Sequence, residues 1–147
     1  MNTLYDRDFY GWCLEQAWNL ENGNVEKLDL KNLIEEIASM GRSEKNELIN
    51  RLAVLLCHIL KWEYQPHLRS HSWKFTILEQ TERVKDLLLE NPSLKTPERY
   101  DQCLSKAYSY GAKQACEQTG LPLGTFPPTF PFSDPLNFNI PGEPCDI

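Results

Sequence analysis

The sequence predicts an all-α fold: a single bundle of about five helices with a proline-rich C-terminal segment packed on its outside. Three observations predict it. Apolar residues recur at steps of three and four through most of residues 1–120. Capping and stop residues divide that pattern into helical lengths. No alternating apolar pattern competes with it beyond the short VEKLDL. The expected organisation is a helical domain over 1–120 and an extended segment over 121–147.

The first helix opens with Thr3 and Asp6 at capping-box spacing and carries Tyr5, Phe9, Trp12, Cys13, Ala17 and Leu20 on one side. Asn22-Gly23 stops it. Asp29 is suited to cap a second helix with the stripe Leu30, Leu33, Ile34, Ile37 and Met40, and Gly41 to end it in left-handed geometry. From Ser43 a third helix is apolar nearly all round, from Leu48 through Leu52, Leu55, Leu56 and Ile59 to Trp62. Such a helix is expected at the centre of a core. Pro66 ends it, because Gln65 before it is pushed out of helical geometry.

Ser70 or Ser72 can cap the fourth helix, with Trp73, Ile77, Val84, Leu87 and Leu88 on its inner face. Thr96-Pro97-Glu98 starts the fifth with a capping oxygen, a first-turn proline and an early acid. Its stripe of Tyr100, Leu104, Ala107, Gly111 and Ala115 lets a neighbouring helix come close, and Gly120 closes it. Residues 121–147 hold seven of the ten prolines and no basic residue. They also hold Phe126, Phe130, Phe132, Leu136, Phe138 and Ile140, too much apolar surface for a solvated tail.

Composition sets the class. With 41% hydrophobic and 24% charged residues in a chain of 147, the expectation is one globular domain, neither disordered nor membrane-spanning. The longest apolar run, Leu52 to Cys57, is far short of a span. The polar opening MNTLYDRDFY does not resemble a cleaved signal. Five cysteines without a C-x-x-C pair point to reduced thiols and a cytoplasmic location. The net charge is −6, yet residues 51–74 carry Arg51, Lys61, Arg69 and Lys74 against Glu63 alone.

The stretches LIEEIASMG (33–41), RLAVLLCHILKWEYQPHLRSHSWKFT (51–76) and EQTGLPLGTFP (117–127) resemble a bacterial all-helical family known as domain of unknown function twenty-nine. The chain departs from that pattern at PTFPFS, where members often carry a cysteine. The resemblance implies an all-α fold and no mechanism.

Residues 58–74 concentrate all three histidines with Trp62, Tyr64 and Trp73. Cations beside aromatic rings can meet phosphates while the rings stack on bases, although Trp62 and Trp73 also fall on the apolar stripes expected in the core. The expected function is therefore a helical binding module, with Lys61, Tyr64, His67, Arg69, His71 and Lys74 as its contact residues. A protein partner or a second copy is expected first, RNA second, and no membrane. No motif fixes an enzymatic activity. Arg51 and His58 form R-x6-H, which looks like the outer limit of the signature of the HEPN ribonucleases. That resemblance implies a metal-independent alternative, with His58 as acid or base and Arg51 on the phosphorane charge. The competing reading pairs Arg51 with Glu35, Glu36 or Glu47 and makes His58 a hydrogen-bonded residue at the core edge. His67 and His71 form H-x3-H without the glutamate of H-E-x-x-H, and no E-x-x-H occurs, so neither metal nor cofactor is expected.

Overall fold

The computed structural model describes residues 3–146, which form helices and turns and contain no strand. Five α-helices follow in order: α1 (Leu4–Arg7), α2 (Phe9–Glu21), α3 (Leu30–Tyr64), α4 (His71–Glu90) and α5 (Pro97–Thr119). The fold is all-α, as the periodicity predicts. It divides into two compact units, one up to Ser43 and one from Glu44.

In the first unit, the single helix expected from Thr3 to Asn22 is two. Thr3 caps α1, but the backbone at Asp8 leaves helical geometry at φ −149° and ψ 83°. There the Asp8 carboxylate accepts the Gly11 N–H at 3.0 Å and caps α2 instead. A Cβ at Gly11 would collide with that carboxylate, so the glycine makes room for the cap. A local aspartate–backbone bond thus competes successfully with helix continuation. The buried side of α2 is Trp12, Gln16 and Asn19. Trp12 Nε1 donates to Asp29 at 2.9 Å, and the Asp29 N–H donates to Gln16 Oε1 at 2.8 Å. Asn32 Nδ2 also donates to Asp29 at 2.8 Å, and these donors hold its carboxyl below the usual aspartate range.

The two helices expected either side of Gly41 are one. Helix α3 runs 35 residues from Leu30 to Tyr64 without a break. Gly41 does not adopt the left-handed conformation that Gly23, Gly120 and Gly142 do. A mid-helix glycine costs only about 1 kcal/mol against alanine, which the helical residues on both sides outweigh.

The core of the second unit is built on the apolar half of α3. Leu48, Leu52, Leu55, Leu56, Cys57, Ile59, Leu60 and Trp62 have no exposure. Ile77, Val84 and Leu88 face them from α4, and Cys103, Ala107, Tyr108 and Ala115 from α5. At Gly111 a Cβ would lie 2.8 Å from the Ala53 carbonyl oxygen, so this glycine sets how closely α5 approaches α3. Ser70 caps α4 by accepting the Trp73 N–H at 3.1 Å. Thr96 does not cap α5; its hydroxyl donates to the Ser93 carbonyl at 3.1 Å.

The proline-rich segment packs against these helices. Phe126 is buried edge-on to Tyr64, with centroids 5.1 Å apart, and Pro135 is fully enclosed. Tyr108, Phe130, Phe132 and Phe138 form a chain of tilted ring contacts. The Tyr108 hydroxyl donates to the Pro127 carbonyl at 2.7 Å, so the prolines leave few backbone donors and the helices supply them instead.

Candidate functional site

Residues 58–74 turn from the end of α3 through a 3-10 turn at Pro66–Leu68 into the start of α4. The structure separates the six expected contact residues into two sets. Lys61 and Tyr64 turn inward. Lys61 is 8% exposed, donates to Gln118 Oε1 at 2.8 Å and stands 4.6 Å over the Trp73 ring. Among the described residues no carboxylate pairs with it, and burial lowers its pKa. The buried Cys57 thiol shares the same Gln118 oxygen at 3.7 Å and is pushed up to about 11 by burial. Tyr64 is half-buried against Phe126.

His67, Arg69, His71 and Lys74 form the outer rim. His67 is exposed in the 3-10 turn, whereas His71 opens α4, so H-x3-H does not lie on one helix. Arg69 lies 5.1 Å over the Trp62 ring, and its Nε donates to the Trp62 carbonyl at 2.9 Å. The segment from Pro141 to Asp146 lies against this rim, although His67 and His71 stay exposed. Trp62 Nε1 donates to the Pro141 carbonyl at 2.6 Å, and the Cys145 N–H donates to the Arg69 carbonyl at 2.7 Å. The Asp146 carboxylate accepts the His71 backbone N–H at 2.9 Å and lies 2.7 Å from His71 Nδ1. Those contacts, the backbone N–H first, hold the Asp146 carboxyl below its usual range. Lys74 Nζ is 3.8 Å from Glu143.

Arg51 and His58 are engaged separately. Arg51 Nε donates to Glu47 at 2.6 Å, and Nη1 reaches Gln80 at 3.4 Å. The Glu47 pairing is the structural alternative offered by the sequence. The His58 Nδ1 is 2.8 Å from the Val54 carbonyl, an acceptor only, so Nδ1 carries a proton. Burial lowers the pKa of the ring. The two side chains have different partners, and the ribonuclease alternative draws no support from them.

Sequence reasoning missed a larger feature. Of the expected stripe Leu30, Leu33, Ile34, Ile37 and Met40, Leu33 is half-buried and the other four are 58%, 66%, 66% and 68% exposed. On α2, Phe9, Ala17 and Leu20 of the expected inner stripe are exposed too, as are Tyr10, Leu14 and Trp18. The inner side of α2 is polar at Gln16 and Asn19, while Tyr10, Leu14 and Trp18 recur at steps of four on its outer side. That second stripe was legible in the sequence as apolar residues falling off the first.

Among the described residues, no helix is long and apolar enough to cross a membrane. No curated protein and no solved structure matches the chain. A family model matches residues 4–137 and carries the description "Domain of unknown function DUF29". The match spans every helix described above, and the chain belongs to this family.

Proposed function

We propose that the protein is a helical interaction module that binds a cationic amphipathic helix of a protein partner on the apolar stripes of its first unit. The observation that carries this reading is the exposure of Tyr10, Leu14 and Trp18 on α2 and of Leu30, Ile34, Ile37 and Met40 on α3. Contiguous apolar faces of this kind cost solubility and mark contact surfaces. Tyrosine and tryptophan are also the side chains that most often dominate interface energies.

Charge favours this occupant over a second copy or an anionic surface. Residues 3–43 carry four Lys/Arg against eight Asp/Glu, so a like unit is repelled and a basic helix attracted. RNA is disfavoured on the same ground, and the cations of the 58–74 corner are already engaged inside the chain. Five unpaired cysteines suit a reducing, cytoplasmic setting.

The test uses a synthetic amphipathic helix of leucine and lysine, with a leucine–glutamate helix as control. The lysine helix is expected to bind and blue-shift the emission of Trp18, a shift absent in Trp18→Phe. The double substitution Ile34→Asp, Ile37→Asp is expected to abolish binding while leaving the helical circular dichroism intact. Equal binding of both helices, or of neither, overturns the reading. A concentration-dependent dimer broken by Ile37→Asp would replace the partner by a second copy.

A further inference from the structure

We propose that the corner formed by Trp62, Arg69, His71 and Lys74 is a binding site for an extended acidic peptide, and that segment 141–146 is the ligand it holds in cis. This site lies in the second unit and does not depend on the apolar stripes of the first.

The contacts are those of peptide recognition. The corner reads backbone at two places: Trp62 Nε1 donates to the Pro141 carbonyl, and the Arg69 carbonyl accepts the Cys145 N–H. It reads charge at two more. Lys74 faces Glu143, and the first turn of α4 offers the His71 N–H to the Asp146 carboxylate, an anion at a helix N-terminus. Between them Gly142 sits at φ +73° against the Arg69 guanidinium, where a Cβ would collide with Nη1. Prolines on either side restrict the segment before it binds, which lowers the cost of ordering it. The ligand class is therefore an extended Pro-Gly-acid-Pro-x-acid segment.

The segment behaves as a ligand and not as part of the core. Phe126 and Pro135 upstream are buried, whereas five of the six residues 141–146 are exposed and Pro144 is half-buried. Its hold comes from a few hydrogen bonds and from the surface ion pair of Lys74 with Glu143, which salt screens. The family match ends at residue 137, so all four corner residues lie within the matched region and the whole segment lies outside it. A covalently tethered occupant also enjoys a high effective concentration, so a competing peptide binds weakly until the tethered one is loosened.

The experiment titrates full-length protein with a fluorescent peptide, Ile-Pro-Gly-Glu-Pro-Ser-Asp, and follows anisotropy. The unmodified chain is expected to bind it at least about tenfold more weakly than the Gly142→Val chain, the penalty of a competent state populated about a tenth of the time. Adding Lys74→Glu to that chain is expected to reverse the gain, as is replacing the glycine of the peptide by alanine. A Gly142→Val chain that keeps its helical signal and melting temperature but binds no better than the unmodified protein overturns the proposal. If that variant does not fold, hydrogen exchange on the unmodified chain decides. The Cys145 amide is expected to exchange far faster than that of Leu56, and faster still in high salt. Equal protection of the two amides overturns the proposal, because the segment would then be a permanent part of the fold.

Discussion

His58 illustrates how one side chain changes meaning between sequence and structure. In sequence it is a titratable group seven residues from an arginine; in the fold its ring is half-buried and bonded to the turn before it. Burial, the largest cause, lowers its pKa, the Val54 bond opposes that, and nearby Lys61 adds to it. The unfolded chain therefore takes up a proton near the ordinary histidine pKa of about 6.5 while the folded chain still resists it. The stability this neutral ring contributes is complete above that value and is lost as pH falls through it towards the folded pKa. The urea midpoint is expected to drop between about pH 7 and pH 5.5, and His58→Gln is expected to flatten that part of the profile. An unchanged slope would show that another group carries the acid sensitivity. Spacing suggested the ribonuclease alternative because seven residues do place two side chains on one helical face. It could not reveal that Glu47, one turn before Arg51, takes up the guanidinium.

At the scale of elements, some local caps were more legible than continuations. Ser70 and Gly120 do what their residue types predict, because a cap or a left-handed turn is a local bond between near neighbours. Asp8 and Gly41 went the other way. Asp8 looks like an ordinary helix-surface acid, yet it folds back on the Gly11 N–H and splits the first helix. Gly41 looks like a stop, yet no neighbour occupies the space its missing side chain leaves. Since that site is exposed, helical and open, Gly41→Ala is expected to stabilise the protein by about 0.5–1 kcal/mol, read as a higher urea midpoint. A loss of stability would mean that α3 needs to bend there. Helix α3 also explains why its first stripe was misread. Leu30 to Met40 has the same periodicity as Leu48 to Trp62, and periodicity alone does not say which stripe is covered.

Across the whole molecule, apolar burial is unevenly spread. Among the described residues, Trp12 is the one buried hydrophobic side chain before Leu48; the others, through Phe126, lie in the second unit. Local opening follows the density of buried apolar contacts. The amides of α2 are therefore expected to exchange at least about a hundredfold faster than those of Leu52 to Ile59. Equal rates would mean that the first unit draws its stability from something other than its own core. The covering of the basic corner by Glu143 and Asp146 could not be read from sequence. Lys74 and Glu143 are 69 residues apart and His71 and Asp146 are 75, and they are brought together by bonds from the segment's backbone to Trp62 and Arg69, which no spacing rule encodes.

The same long separations bear on how the protein is made. Trp62 meets Pro141 across 79 residues of chain, and Tyr64 must wait for Phe126. At synthesis rates of about 5–20 residues per second, the end of α3 is made roughly 4–16 s before its last partners are. During translation the apolar half of α3 is therefore complete before Phe126 and Pro141 exist to cover its end. The nascent chain depends for those seconds on whatever shields it, and the finished protein does not.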